Sequence, residues 1–317
     1  MRKQNEIKSN HFSNSINKLL FVIVFGVSVI LAGGCAKGPK GTAETTYHEE
    51  DISIAMDGYE LPATICIPDG KGSFPAVVML HGTGSNRNEA GNGYVYASHT
   101  LASKYRIASI RIDFPGSDLS DADSTLYSYD PAVEDAVAAA EYISGCENIK
   151  SDSIGIMGWS QGGTIALLAS GRHPELFKSV VTWAGAPDLM AVGLFSEEDY
   201  KEATENGYFI MDFAFRDSVK TSRQWCEDVM GTEVLKEFSE GYRGPVLAIA
   251  GTEDTTVDPQ QSSDIVAASS NEKSETCFIE GMDHTLNVFS EEDLRSLYQV
   301  IDKTGNFFAD TLSGIEE

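Results

Sequence analysis

The sequence is short of positive charge. Lys and Arg number 23 against 48 Asp and Glu, a formal net charge of −25. A surface this negative repels phosphate, which argues against nucleic-acid binding through a basic face. Cysteine is also scarce, 5 in 317 residues. Cys66, Cys146, Cys226 and Cys277 lie far apart and form no C-x-x-C pair, so no zinc site or redox dithiol is spelled out. An exported chain could pair these four in any of three ways or keep them as small buried hydrophobes. Glycine, at 29 residues, is far below the one in three of a collagen-like chain. There is no internal repeat. What is present is a globular composition, 42% hydrophobic and 9% aromatic, too apolar for a disordered chain and long enough for one large α/β domain or two small ones.

The charge is unevenly distributed. Residues 1–34 hold Arg2, Lys3, Lys8 and Lys18 against Glu6 alone, a net +3, so the remainder from Cys35 onward carries −28. Residues 1–18 are polar and basic, residues 19–31 (LLFVIVFGVSVIL) are an uncharged apolar run, and small residues follow. This is the layout of a secretory signal over residues 1–34. Thirteen residues make a helix of roughly 20 Å, short of the ~30 Å hydrocarbon core, which argues against a stable span. Leu31-Ala32-Gly33-Gly34-Cys35 resembles the lipobox of bacterial lipoproteins, with Ala32 where Leu is commonest. The resemblance implies lipidation at Cys35 and an exported protein held at the outer face of a bacterial cell membrane. An ordinary signal cut nearby would give a secreted one. Residues 35–46 then read as a flexible tether, and residues 47–317 as the folded body.

The body alternates strand and helix. Ile52–Met56 and Leu61–Ile67 read as a hairpin joined through Asp57-Gly58. Pro75–Leu80 is a continuous apolar run, as in a strand buried on both faces. Ile107–Ile112, Ser153–Gly158, Ser179–Ala184, Pro245–Ala250 and Thr276–Glu280 read as further strands. Pro131–Ser144, capped by Asp130, Gln161–Ser170, and Ser290–Asp310, capped by Ser290 with acids in its first turn, read as helices. The alternation predicts an α/β fold: a mostly parallel, doubly wound sheet with an antiparallel N-terminal hairpin. Residues 187–242 break the rhythm with 13 acidic and 5 basic residues and several aromatics. They read as an inserted cap.

Four segments carry chemistry. Gly158-Trp159-Ser160-Gln161-Gly162-Gly163 lies between a predicted strand and a predicted helix. That is the setting a nucleophile elbow needs, because the sharp turn lifts the serine above the sheet edge. His81-Gly82-Thr83-Gly84 follows an earlier strand, where a backbone N–H can complete an oxyanion hole. Thr83 is the candidate, with Gln161 as the second donor. Gly251-Thr252-Glu253-Asp254 through Pro259 follows a later strand, and Asp254 is the preferred imidazole partner. Asp258 reads as a helix cap and Glu253 as the outsider. Of six histidines, only His284 stands in a loop after the final strand and after that carboxylate. The chain order Ser160, Asp254, His284 is the order of a hydrolase triad on such a sheet.

These strings resemble the α/β-hydrolase superfamily over residues 50–312. More narrowly, Asn86-Arg87-Asn88-Glu89 and the run IASIRIDFPGSDLSD resemble the bacterial feruloyl/cinnamoyl esterase-like group, with a departure at Pro115-Gly116-Ser117-Asp118, where that group carries a Gly-His-Gly-type loop. The resemblance implies an α/β-hydrolase fold and ester hydrolysis without a cofactor. In it Ser160 is the nucleophile, His284 the general base, Asp254 its orienter, and Thr83 with Gln161 the oxyanion hole. Phe195, Tyr208, Phe209, Phe213 and Phe215 of the cap would either line an acyl pocket or pack the cap down. The expected partner is a small-molecule ester. One rival reading is a serine peptidase of the prolyl-oligopeptidase type, whose usual N-terminal propeller has no room in residues 36–46. Another is a non-catalytic binding lipoprotein on a hydrolase scaffold.

Overall fold

The computed structural model describes residues 45–312, all within one compact unit. The predicted signal, Cys35 and all but the end of the tether lie outside the described residues.

In chain order the elements are β1 (Tyr47–Ala55), β2 (Glu60–Pro68), β3 (Phe74–Leu80), α1 (Gly93–Thr100), β4 (Ala108–Ile112), α2 (Tyr129–Ser144), β5 (Ile149–Trp159), α3 (Gln161–Arg172) and β6 (Ser179–Trp183). Next come α4 (Leu189–Val192), α5 (Glu197–Asn206), β7 (Tyr208–Met211), β8 (Val219–Ser222), α6 (Arg223–Gly231) and α7 (Val234–Gly241). The chain closes with β9 (Val246–Gly251), α8 (Gln260–Ala268), β10 (Glu275–Ile279) and α9 (Arg295–Leu312).

Eight strands form one sheet in the order β1-β2-β4-β3-β5-β6-β9-β10. The pairs β1–β2 and β2–β4 are antiparallel, and every other neighbouring pair is parallel. The continuous apolar run of β3 has its explanation here. Phe74, Ala76, Val78 and Leu80 point into one core, while Val77 and Met79 point into the other. A strand covered on both faces has no polar side to show. The first core is closed by α2, α3 and the cap, through residues such as Ala136, Leu167, Trp225 and Phe238. The second is closed by α1 and α9, through Tyr94, Leu297, Val300 and Phe308. Crossovers on both faces make this an α/β-hydrolase architecture, and they bring the C-terminal ends of the parallel strands to one edge.

Several elements depart from the sequence reading. Helix α2 starts at Tyr129 with Ser128 as its N-cap residue, not at Pro131 behind Asp130. The Asp228 carboxylate, from α6 in the cap, accepts the Tyr129 N–H at 2.8 Å, and Asp130 instead pairs with Arg172. Helix α9 begins at Arg295, not Ser290, because Leu294 is held at φ 49°, outside helical space. Glu291 reaches forward over this break to accept the Ser296 N–H at 2.8 Å. Residues 187–242 hold a two-stranded hairpin, β7–β8, as well as helices. The four cysteines among the described residues are all free thiols. No helix among the described residues is long and apolar enough to cross a membrane.

Candidate active site

Strand β5 runs directly into α3, and Ser160 is the hinge between them, at φ 54° and ψ −121°. A serine is strained there, and the surrounding backbone must hold it. Its N–H donates to the Trp183 carbonyl at 2.9 Å, and its carbonyl accepts from Gly163 at 2.9 Å and Ala186 at 3.2 Å. The flanking glycines are required by close approach. A Cβ on Gly158 would meet the Gly162 backbone, and one on Gly162 would meet the Leu80 carbonyl. Gln161 is the first residue of α3, so its N–H has no carbonyl within the helix to bond to.

Opposite lies the loop after β3. Gly82 stands so close that a Cβ there would be 3.2 Å from Ser160 Cβ. The Gly82 N–H is taken by the carboxylate of Glu89, which also accepts from the Ser85 hydroxyl at 2.7 Å and the Ala90 N–H at 3.1 Å. Glu89 itself sits at φ 59°, ψ 176°, and burial pushes its carboxyl up despite the opposing pull of His81 and these donors. Glu89 closes the string Asn86-Arg87-Asn88-Glu89 noted in the sequence, but its role as the anchor of this loop, presented by a strained backbone, is visible only in three dimensions. The N–H groups of Thr83 and Gln161 have no protein acceptor among the described residues. The Thr83 hydroxyl donates to the Gln161 side-chain carbonyl at 2.6 Å, tying the loop to the start of α3. His81 is structural. Its Nε2 accepts the Phe114 N–H at 3.1 Å, its Nδ1 lies 2.9 Å from the Gly82 carbonyl, and its ring is edge-on to Phe114.

Asp254 and His284 come from the loops after β9 and β10, at the same sheet edge. His284 Nδ1 lies 2.8 Å from Asp254 Oδ2, while Asp254 Oδ1 accepts the N–H groups of Thr256 and Val257, each at 2.9 Å. The Asp254 side chain is fully buried and the imidazole is 19% exposed. A carboxylate fixed by two N–H donors can orient an imidazole and favour the proton on Nδ1, leaving Nε2 to accept. Glu253 is exposed, and Asp258 accepts the Gln260 N–H at the start of α8. The His284 carbonyl accepts the Trp159 indole N–H at 3.1 Å, which anchors this loop to the residue before Ser160. Trp159, Trp183 and Tyr94 meet edge-on or tilted beneath, forming a rigid aromatic floor.

A cleft opens between the His81–Ser85 loop, the turn at Phe114–Ser117 and the cap. Of the five cap aromatics singled out from the sequence, Phe213 alone lines it. Phe213 lies across Gly84, and the Arg216 guanidinium stacks 5.8 Å from its ring while donating to the Gly84 carbonyl at 3.2 Å. Phe195 and Phe209 pack against each other, Tyr208 lies under Lys220, and Phe215 is 70% exposed. Met211 and Trp225 line the cleft instead. Among the described residues no cluster of three or more His, Cys, Asp and Glu side chains is placed to hold a metal ion.

Comparison with known proteins agrees with this architecture. Residues 125–311 match the model of the prolyl oligopeptidase family. The chain is 29% identical over 144 residues to the 2,6-dihydropseudooxynicotine hydrolase of Paenarthrobacter nicotinovorans, covering 44% of this chain and 36% of that one. It is 36% identical over 121 residues to a pimeloyl-(acyl-carrier protein) methyl ester esterase of Aeromonas hydrophila, covering 38% of this chain and 41% of that one. The matched region thus spans about two fifths of each relative's length. In structure, the chain resembles Est1E from Butyrivibrio proteoclasticus with ferulic acid bound. The TM-score is 0.69 at 20% identity, over 83% of this chain and 99% of that one.

Proposed function

The chain belongs to the prolyl oligopeptidase family; on that premise we propose that it is a serine hydrolase that cleaves carboxylic esters through an acyl-enzyme formed on Ser160. The observation that carries the proposal is the Asp254–His284 hydrogen bond of 2.8 Å, at the sheet edge where Ser160 occupies its strained turn.

In this mechanism Asp254 holds His284 with its proton on Nδ1, so Nε2 takes the Ser160 proton as Oγ attacks the ester carbonyl. The negative charge that develops on the carbonyl oxygen is received by the N–H groups of Thr83 and Gln161. Two such donors lower the barrier by several kcal/mol, ~3 each in comparable sites. Glu89 keeps the loop carrying Thr83 in place through the Gly82 N–H. The imidazolium then protonates the leaving alkoxide. Water, deprotonated by the same histidine, attacks the acyl-enzyme, and the acid leaves as Ser160 regains its proton.

Relatives named as esterases support ester rather than peptide cleavage. The family name favours the second reading, a peptidase. A panel of 4-nitrophenyl esters beside dipeptidyl anilides separates the two. Ester turnover that vanishes in Ser160→Ala is expected, and anilide turnover exceeding ester turnover would favour the peptidase. We also propose that the protein is exported and carries a lipid on Cys35. Incorporation of labelled palmitate that is lost in Cys35→Ala tests this.

A further inference from the structure

The cleft beside Thr83 and Gln161 has an imbalance that ester hydrolysis alone does not explain. Its walls are largely apolar, with Phe114, Tyr127, Met211 and Phe213 among them. Two buried side chains that line it carry donor nitrogens with no acceptor. These are Nε2 of Gln161, 0% exposed, and Nε1 of Trp225, 1% exposed. Arg216 touches two further lining residues, Gly84 and Phe213, and its Nε is a third buried nitrogen without an acceptor. Among the described residues, no buried side-chain acceptor lining the cleft is left unpartnered.

The imbalance is one of sign. An indole N–H and a guanidinium N–H only donate. Folded proteins leave few buried donors unpaired, and those they do leave call for a partner. The other two tryptophans have theirs: Trp159 donates to the His284 carbonyl at 3.1 Å and Trp183 to the Thr304 hydroxyl at 2.8 Å. Trp225 alone is unsatisfied. It is also placed to read a substrate, since it comes from the cap while Gln161 follows Ser160 directly.

We propose that Trp225 and Gln161 determine specificity: they hold an acceptor oxygen, such as a ketone or ether oxygen, on the limb of the substrate that enters this cleft. The preferred substrates are therefore esters whose acyl or alcohol limb is apolar but carries an oxygen several bonds from the scissile carbonyl. This rests on the proposed ester hydrolysis and names its substrate class. A pocket built to hydrogen-bond an oxygen rejects the analogue lacking it far more strongly than a plain apolar pocket rejects a change of one methylene. The reason is that the pocket's own buried donors are then left unpaired.

The test has two arms on the full-length chain. In the first, Ser160→Ala protein labelled with 15N-indole tryptophan gives three side-chain N–H signals, one for each Trp, and Trp225→Phe identifies the third. N-methyl 5-oxohexanamide is titrated against N-methyl 5-methylhexanamide, which replaces the ketone oxygen with a methyl group. The expected result is a downfield shift of the Trp225 signal with the ketone only. Equal shifts with both ligands would overturn the proposal, as would a water-filled site that leaves the two indistinguishable, and as would no shift with either together with no keto preference in either ester series of the second arm. In the second arm, kcat/KM is measured for matched keto and methyl-branched 4-nitrophenyl alkanoates, and for acetates of the matching alcohols. A preference of about tenfold or more for the keto member in one series is expected, falling towards one in Trp225→Phe. A preference that survives Trp225→Phe contradicts the assignment. If the indole signal responds but Ser160 takes no fluorophosphonate, the esterase reading fails and the binding site stands.

Discussion

Asp254 and His284 are separated by 30 residues and joined by a 2.8 Å hydrogen bond between Oδ2 and Nδ1, while the other carboxylate oxygen is held by two backbone N–H groups. The carboxylate is thereby fixed before it meets the imidazole. Asp254→Asn should keep the fold and lose turnover, because an amide offers Nδ1 its own N–H and favours the wrong tautomer. The expected fall in kcat is roughly 10³–10⁴, with KM little changed. Steady-state kinetics on a soluble ester, with circular dichroism to confirm folding, measures it.

The elbow makes a separate prediction. A methyl group on Gly162 would drive into the Leu80 carbonyl at the end of β3. Gly162→Ala should therefore destabilise by about 1–3 kcal/mol and also displace Ser160. Urea unfolding together with the rate of covalent labelling at Ser160 checks both. Normal labelling in a destabilised protein would detach the turn geometry from reactivity.

Asp135 predicts how stability follows pH. It is fully buried in α2, one oxygen accepts the Tyr59 hydroxyl, and the other has no partner. Burial pushes its carboxyl up to about 7, with Glu134 adding to the rise. Unfolded, the same carboxyl titrates at ~3.9. Between about pH 4 and 7 the native state holds a proton that the unfolded chain has released, so stability falls as pH rises and the loss is complete above about 7. Asp135→Asn should match wild type near pH 4 and exceed it at pH 8, on the order of a few kcal/mol. Thermal unfolding at the two pH values tests the sign.

Arg87 and Asp113 brace the loop that follows β3. Asp113 is fully buried and accepts the Arg87 backbone N–H at 2.8 Å, its guanidinium at 2.5 Å and the Ser117 hydroxyl at 2.9 Å. Asp113→Ala leaves the largely buried guanidinium only the longer contact to exposed Asp51, at 3.4 Å, and should cost about 3 kcal/mol. Arg87→Met combined with Asp113→Ala should recover part of it. A double-mutant cycle by urea unfolding measures the coupling.

How much of this can be read in the sequence depends on range. Where the signal is local, it is legible. The apolar run of β3 implies a strand covered on both faces, and the glycines around Ser160 imply a turn too tight for side chains. Chain order singles out Asp254 and His284 as neighbours, and their side chains meet. Where a residue acts through a distant partner, composition gives no sign. Asp228 caps α2 from the cap, 99 residues away. Spacing does not find Glu89 either, since its role depends on a positive-φ backbone that ordinarily favours glycine. The start of α9 is misread because Ser290 followed by acids looks like a cap, while Leu294 adopts a left-handed turn that no local preference foretells. In the cap, aromatic content alone does not separate Phe213, which lines the cleft, from Phe209, which is buried in the core.

The central claim is that Ser160 is an activated nucleophile. The most direct measurement is mass spectrometry of the protein after brief exposure to a fluorophosphonate. One adduct per chain is predicted, on the peptide containing Ser160, absent in Ser160→Ala and strongly slowed in Asp254→Asn. An unmodified Ser160, or labelling that persists in Ser160→Ala, would contradict the account.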